Sequence, residues 1–502
     1  MKILLINIAH PAIGSRIPDD HLPPFGLLCI AGSIIDDGHE VKLFDCDLKP
    51  INEAELLRQT QDFAPDIIMF GHSGSSTAQP IISKTARLLK FAIPQAKIVY
   101  GGVHPTYFWR ELLATDFWLD YVVRGEGEKT ARDLIRAIDG KSKIEDLRGI
   151  SYRDNGRPKA NSNAEVILDL DEFRIGWELI DFQDYSYWGG KRAVVIQFSR
   201  GCPHLCTYCG QRGFWSKWRH RDPQKLADEI AHLNRNHGVE VFNFADENPS
   251  SGRKAWRRFL EAIIAHNLNI TLVGSTRADD IVRDKEFLHL YKKAGFERFL
   301  LGMENTDEAT LQQIKKGATK AIDKEAIRLL RQHNILSMAT WVAGFNNETD
   351  ADLWRGLKQI IEYDPDQIQA LYAVPHRWTP FYDDAKELGI IEIDKTKWDY
   401  KHQIIKLQNI PPWRLFMWVK FIEVCAQARP KAIARLIWNK EPKIRHAIRW
   451  YYKMGRRVWI HEILEFIFSR RHSKTPQSVM EFYGPPQVKE EYASSTRQSS
   501  RI

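Results

Sequence analysis

The sequence predicts an α/β protein: an N-terminal doubly wound parallel sheet, a partial (β/α)6 barrel after it, and a mostly helical, basic C-terminal region. Three observations predict it. Short apolar runs alternate twice with amphipathic helical stretches, the rhythm of parallel strands joined by crossover helices. Three of the six cysteines cluster between Cys202 and Cys209, just after the first strand of the second series. Residues 401–472 hold 16 Lys and Arg against 4 Asp and Glu, a local +12 in a chain of net charge +8, so the remainder is net acidic.

The first series places strands at Lys2–Ile8, Glu40–Asp45, Asp66–Ser73, Lys97–Gly102 and Tyr121–Gly125, within a domain over residues 1–140. Ligands of such sheets gather beyond the carboxyl ends of the strands. There the chain carries Gly71-His-Ser73-Gly74-Ser75-Ser-Thr77, Gly101-Gly102-Val-His104-Pro-Thr106 and Arg124-Gly-Glu-Gly127, whose small residues admit a bulky ligand. None has the Gly-x-Gly-x-x-Gly pattern of dinucleotide binding. The residues alone therefore fit any flavodoxin-like module.

A charged connector, residues 141–191, leads to the second series. Strands are expected at Ala193–Phe198, Val239–Ala245, Asn269–Thr276, Arg298–Glu304, Ser337–Gly344 and Gln367–Val374, giving a barrel over 192–380 with its chemistry at the strand carboxyl ends. Residues 381–472 read as helical and aromatic-rich, and the Ser/Arg/Glu/Pro-rich ending 473–502 as disordered.

With 502 residues, 43% of them apolar, the chain has material for two or three cores. Cys29, Cys46 and Cys425 sit in apolar surroundings as small buried hydrophobes, so no disulfide framework is indicated. The N-terminus Met1-Lys-Ile-Leu-Leu-Ile-Asn7 is too short in its apolar stretch for a signal peptide, and no uncharged run reaches the length of a spanning helix. A cytoplasmic protein is expected. The basic stretch interleaves aromatics, as in Arg445-His-Ala-Ile-Arg-Trp-Tyr-Tyr-Lys453, which suits either peripheral contact at the cytoplasmic membrane face or a solvated helical face. No recognisable nucleic-acid-binding module accompanies it, so nucleic acid is not an expected partner.

Three thiolates on one short loop suit a 4Fe-4S cluster with one iron left open to a ligand. A zinc knuckle completed by His204 or His220 is the alternative. The Cys-x3-Cys-x2-Cys spacing of Cys202, Cys206 and Cys209, with Tyr208 before the last, resembles the signature of the radical S-adenosylmethionine enzymes. That resemblance implies that the open iron chelates S-adenosyl-L-methionine, with Tyr208, Asp246 and Glu247, Ser275 and Arg277, and Glu304 as its contacts. Asp246 and Glu247 would meet the methionine ammonium, and Ser275 and Arg277 the ribose hydroxyls and carboxylate. Strand-end acids such as Asp246 and Glu348 equally suit helix N-caps.

The N-terminal domain, in Gly101-Gly-Val-His-Pro-Thr106 and Arg124-Gly-Glu-Gly-Glu128, resembles the cobalamin-binding domain that precedes the barrel in one subgroup of those enzymes. Ser73, Gly74, Ser75, Gly101, Gly102 and His104 are then the expected cobalamin contacts. The chain lacks the Asp-x-His-x-x-Gly motif of a lower axial histidine, which implies base-off cobalamin with no histidine on cobalt.

Arg200–Pro223, Asp246–Pro249, Gly274–Asp284, Leu300–Ala309 and Pro375–Pro380 are similar to the anaerobic magnesium-protoporphyrin IX monomethyl ester oxidative cyclases of bacteriochlorophyll and chlorophyll synthesis for photosynthesis. The resemblance implies an oxidoreductase that closes the isocyclic ring with oxygen from water, driven by a flavodoxin- or ferredoxin-type reductant. A cobalamin-dependent radical methyltransferase is the alternative activity. For the planar tetrapyrrole and its free propionate, Trp215, Trp218, Arg219 and Arg221 are the expected contacts, with His376 a ligand for magnesium. Phe214 and Trp215 would otherwise pack the cluster loop. No catalytic group beyond the cluster and the bound radical is identifiable.

Overall fold

The computed structural model describes residues 1–9, 20–72, 76–211, 213–215, 217–304, 308–468 and 477–487. Within them the chain forms two compact units: Pro23–Asp184 with the first strand and Asp394–Asp399, and Tyr185–Ile393 with the chain from Tyr400 onward.

In the first unit, β1 (Lys2–Asn7), β2 (Glu40–Asp45), β3 (Ile67–His72), β4 (Lys97–Gly102) and β5 (Tyr121–Val123) are parallel and ordered β2-β1-β3-β4-β5. Helices α1 (Phe25–Asp36), α2 (Glu53–Phe63), α3 (Gln79–Ala92), α4 (Val103–Thr115) and α5 (Gly127–Ile138) alternate with them. The core joins Leu5, Met69 and Val99 of the strands to Leu27, Ile34 and Leu134 of the helices. Strand order reverses between β1 and β3, so the ligand crevice of this doubly wound sheet opens beyond Asn7 and His72.

Residues 141–191, expected as a connector, add structure to that sheet. β6 (Ile150–Asp154) and β7 (Arg157–Ala160) extend it antiparallel beyond β5. Asn155 and Gly156, at φ 50° and 78°, make the tight turn between them, the left-handed pair that an Asn-Gly dipeptide supplies most easily.

The second unit is built on β8 (Ser186–Tyr187), β9 (Lys191–Ile196), β10 (Ser199–Arg200), β11 (Arg219–His220), β12 (Val241–Phe244), β13 (Thr271–Thr276), β14 (Phe296–Glu304), β15 (Leu336–Ala343) and β16 (Gln367–Tyr372). β9 and β12–β16 are six parallel strands in sequential order, with β8 antiparallel at one edge, an open partial barrel. Its crossover helices are α6 (Pro223–His237), α7 (Arg253–Ala265), α8 (Ala278–Arg283), α9 (Leu288–Ala294), α10 (Glu308–Gln313), α11 (Lys320–Gln332) and α12 (Asp350–Tyr363). Their limits follow local chemistry. Asp222 caps α6 ahead of Pro223 and Gly238 ends it at φ 66°, while Thr349 and Asp352 form a reciprocal capping box on α12. Trp256 and Phe259 of α7 lock onto Phe198, Phe244 and Phe296 in a continuous aromatic core.

After the short α13 (Phe381–Ala385) come α14 (Pro412–Ala428), α15 (Pro430–Trp438) and α16 (Pro442–Phe468). α16 buries Ile444, Ala447, Ile448, Trp450 and Met454 against Tyr187, Val241, Val273 and Leu336, filling the amino end of the barrel. Part of the basic excess is structural there. Asp364 accepts from Arg429 Nε at 2.6 Å and from both terminal nitrogens of Arg435 at 2.8 Å. Burial opposes the Asp364 charge, but Arg435 and Arg429 outweigh it and hold the carboxyl at about 2. No helix among the described residues is long and apolar enough to cross a membrane.

The expected disordered ending also needs correction. Within it, α17 (Val479–Tyr483) starts with a capping box of Ser478 and Glu481 and buries Val479 and Tyr483. The following backbone meets Arg377, whose Nε donates to the Pro485 carbonyl at 2.7 Å, and Tyr382, whose hydroxyl donates to Gly484.

Candidate active site

The cysteine loop follows β9 and is held from three directions. Antiparallel pairing of β10 with β11 closes residues 201–218 into a loop. At its entry Gly201 has φ +90°, and a Cβ there would stand 2.4 Å from the Lys217 carbonyl oxygen, so a side chain would force the two strands apart. From beyond β14, the Ile314 carbonyl accepts from the Thr207 amide at 3.0 Å. From beyond β16, the Phe381 amide donates to Thr207 at 3.0 Å and Trp378 Nε1 to the Gly210 carbonyl at 2.7 Å. His376 and Tyr400 wall the other side of Gly210, where a Cβ would lie 2.9 Å from the Tyr400 hydroxyl and 3.1 Å from the His376 ring.

Cys202, Cys206 and Cys209 are outside any disulfide and partly buried. Burial pushes the Cys202 thiol up to about 11 and Cys209 to about 12, so thiolates at this site call for the positive charge of bound iron. Arg277 supplies further positive potential toward Cys206 and Cys202.

The two acids at the end of β12 behave differently. Asp246 accepts from the Phe198 amide at 3.0 Å and from the Ser199 amide and hydroxyl at 2.5 and 2.7 Å, pinning the strand that enters the cysteine loop. Expected at a cofactor ammonium, Asp246 instead has both oxygens committed to that strand, which makes it a positioning residue. Glu247 has a buried carboxylate oxygen with no hydrogen-bond partner. Burial, and then the neighbouring Asp246 charge, push Glu247 up to about 7. A buried carboxylate in that state fits a cationic ligand, and its charge reaches Cys202 and Cys209 of the loop.

Opposite them, Glu304 pairs with Lys316 at 3.1 Å, in space left by Gly302, whose Cβ would stand 2.4 Å from the Glu304 carboxylate. Tyr208 is held far above its usual range by burial and then by Glu304, Cys206 and Cys209. Arg277 donates to Asp279 at 2.9 Å and to the Lys316 carbonyl at 2.7 Å, and Ser275 is half-buried in the last turn of pleat of β13. The charges of Glu247, Arg277 and Glu304, at the ends of β12, β13 and β14, thus all reach the cysteine loop. These residues fit a cluster with a cationic amino-acid ligand on it.

The expected substrate contacts divide. Trp215 meets Phe214 edge-on at 4.7 Å and lies under Arg200, 4.9 Å from the guanidinium, so it stays with the cysteine loop and half-buried. Trp218 is corrected to a packing residue: its Nε1 donates to the Asn248 carbonyl at 3.1 Å and its ring fills the space above Gly252. Arg219 is buried in β11 and donates to the Lys217 carbonyl, and Arg221 pairs with Glu229 at 2.6 Å, so each charge has a protein partner. His376 is fully buried, stacked on Trp378 at 4.7 Å, with Nε2 on the Tyr400 hydroxyl at 3.1 Å. Burial lowers it to about 4, leaving a neutral ring whose Nδ1 is buried and unpartnered. It braces Gly210 beside the cluster loop instead of standing open to a magnesium ion. His220, a possible zinc ligand, stacks on Phe198 at 5.5 Å.

In the first unit, Ser73, Gly74 and Ser75 lie outside the described residues. Gly101, next to last in β4, has nothing nearer its Cβ position than Val123 at 3.5 Å, and Gly102, at φ 111°, ends the strand and opens α4 without a side-chain cap. That uncapped helix start beside a bare strand end fits a bulky, phosphate-bearing cofactor. His104 is corrected: its Nδ1 lies 2.9 Å from Ser76 Oγ and its ring stacks on Phe108 at 4.4 Å, so it is a core residue.

Sequence reasoning missed Lys316, Tyr400 and Asp323. Asp323 is buried near Lys316 with one oxygen unpartnered, and burial pushes it up to about 7. Only Lys316 left a signal, the Ile314-Lys-Lys-Gly317 stretch behind β14.

Comparison with known proteins agrees with this geometry. Residues 196–360 match the radical SAM superfamily and residues 16–135 match the B12 binding domain. The chain is 52% identical over 491 residues to an anaerobic magnesium-protoporphyrin IX monomethyl ester cyclase of Synechocystis sp., covering 98% of each. The chain belongs to this cyclase family. The cyclase of Rubrivivax gelatinosus is 32% identical over 81% of this chain and 74% of its own length. Among solved structures, the cobalamin-dependent S-adenosylmethionine radical enzyme OxsB shares the fold with a TM-score of 0.69 at 17% identity, over 99% of this chain and 77% of that one. As a radical SAM protein with a B12 domain, the family member uses a 4Fe-4S cluster, S-adenosyl-L-methionine and cobalamin.

Proposed function

We propose that this chain closes the isocyclic ring of magnesium-protoporphyrin IX monomethyl ester without dioxygen, giving divinyl protochlorophyllide with an oxo oxygen from water. The observation that carries the reading is 52% identity to the Synechocystis cyclase over 98% of the chain. When bound, the reduced cluster and S-adenosyl-L-methionine supply a 5′-deoxyadenosyl radical able to take hydrogen from the propionate side chain.

The chain's own residues hold and orient. Cys202, Cys206 and Cys209 take the iron, and the buried, unpartnered Glu247 takes the methionine ammonium. Ser275, Arg277, Glu304 and Tyr208 line the rest of that cofactor, with Asp246 fixing the approach of the loop. Gly101 and Gly102 leave room for cobalamin at the end of β4, and Ser73, Gly74 and Ser75 are its further expected contacts. Arg200 over the ring of Trp215 offers the substrate a cationic edge beside the cysteine loop. A flavodoxin- or ferredoxin-type protein delivers electrons, and the work is done in the cytoplasm, against the membrane face through residues 401–472.

The test is anaerobic incubation of the reconstituted protein with reductant, cobalamin, S-adenosyl-L-methionine and the porphyrin ester. A new red-shifted protochlorophyllide band is expected, labelled when the water carries heavy oxygen. S-adenosylhomocysteine with a methylated porphyrin, and no such band, would overturn the reading in favour of methyl transfer.

A further inference from the structure

Helix α16 carries two opposed faces. One is buried in the barrel through Ile444, Ala447, Ile448 and Met454. The other follows three- and four-residue steps through 449, 453, 456, 460, 464 and 467, and every residue on it is exposed. Along that single face the chemistry changes once. Arg449, Lys453 and Arg456 come first, and none has a hydrogen bond or ion pair among the described residues. Ile460, Leu464 and Ile467 follow, 47%, 49% and 63% exposed, ending at Phe468, 79% exposed.

The three cations also line a groove of about 480 Å³ between α15 and α16, whose other walls are Gln427, Leu436, Ile437 and Tyr452. Trp438, 72% exposed, stands next to Ile437 at the end of α15. Cations without acidic partners, apolar walls and an exposed indole are the parts of a site for an anionic amphiphile.

We propose that α15 and α16 seat the protein on an anionic bilayer, with Arg449, Lys453 and Arg456 taking lipid phosphate headgroups in this groove and Ile460, Leu464 and Ile467 entering the headgroup–acyl boundary. Charge complementarity selects the occupant. A second copy would set the same unpaired cations against each other across a two-fold axis, and a nucleic acid would leave the apolar half of the face in water. A bilayer satisfies both halves, since each base near an anionic surface adds attraction and each apolar side chain gains burial. The site refines the membrane-face reading above and does not depend on the ring-closing reaction.

The test uses the full cofactor-loaded chain and flotation with two vesicle types, phosphatidylglycerol mixed with phosphatidylcholine, and phosphatidylcholine alone. Strong binding to the first only is expected. The triple variant Arg449→Gln, Lys453→Gln, Arg456→Gln should weaken that binding about 100-fold, and Ile460→Ser with Leu464→Ser should weaken it while leaving its salt dependence. Both variants should keep the circular dichroism spectrum and detergent-free cyclase turnover of the parent. The proposal fails if both vesicle types bind alike, if the triple variant binds as the parent does, or if inorganic phosphate binds the groove while vesicles do not. It also fails if light scattering shows a lipid-free dimer that the Ile460→Ser, Leu464→Ser variant dissociates. Loss of cyclase product with intact vesicle binding would sink the functional reading and leave this one standing.

Discussion

At the amino end of the barrel the buried carboxylates are fully matched: Asp364 receives Arg429 and Arg435, and Asp366 receives the Ser337 amide and hydroxyl at 3.0 Å each. At the carboxyl end Glu247 and Asp323 each bury an oxygen that no described residue meets. The same fold therefore treats the same functional group in opposite ways at its two ends. Where partners are complete, burial and pairing together stabilise the helices against the strands. Where they are incomplete, the unmet carboxylate oxygen is left able to receive a cationic ligand, the role proposed for Glu247.

The widest separation of the two ends comes from the cysteines. Replacing Cys202, Cys206 or Cys209 by Ala should abolish cluster absorbance and product formation together, while thermal unfolding shifts little; continued S-adenosylmethionine cleavage by any of them would contradict the site. Asp364→Asn should do the reverse. Leaving Arg429 buried without an anion, and Arg435 with Asp366 alone, is expected to cost about 3 kcal/mol of stability, read from denaturant unfolding, with the cluster spectrum intact in what remains folded.

Acid probes the same contrast. Asp364 is lowered on folding from 3.8 to about 2, so its contribution is complete above the unfolded value and is lost as pH falls through about 2. Unfolding followed from about pH 5 down to pH 2 should show a stability loss on the order of 2 kcal/mol that Asp364→Asn lacks. At the other end, Glu247→Gln should raise the KM for S-adenosylmethionine about 10- to 100-fold, the worth of one charge-assisted hydrogen bond, with unchanged cluster absorbance. An unaltered KM would leave the orphaned oxygen without a role. The smallest effect is expected from Trp378→Phe, which removes the bond to Gly210 for about 1 kcal/mol and should shift the magnetic resonance spectrum of the reduced cluster without abolishing it.

The strands were legible because each is a short apolar run ending at a glycine, an acid or a polar turn; the β2 limits at Glu40 and Asp45 and the β4 limits at Lys97 and Gly102 follow directly. The cysteine spacing was legible as chemistry. What escaped was burial. Asp246 and Glu247 are adjacent acids that the sequence does not distinguish, and only the approach of Phe198 and Ser199 makes Asp246 the strand clamp while a Glu247 oxygen stays unpartnered. Trp218, Arg219 and Arg221 looked available because a loop rich in bases and aromatics was expected to be open, whereas β10–β11 pairing folds it onto Asn248, Gly252 and Glu229. The β6–β7 hairpin could have been found from Asn155-Gly156, and α17 from Ser478 and Glu481, since both are local signals inside otherwise polar stretches.

The docking of the chain's ending on Arg377 and Tyr382 reaches further than its few residues suggest. The same stretch of chain, from His376 to Phe381, grips the cysteine loop at Thr207 and Gly210. A protein cut back to residue 476 would retain every proposed ligand to iron, yet its grip on the loop would lose its backing. Such a shortened form should assemble its cluster and then surrender it to oxygen or chelator sooner than the whole chain does.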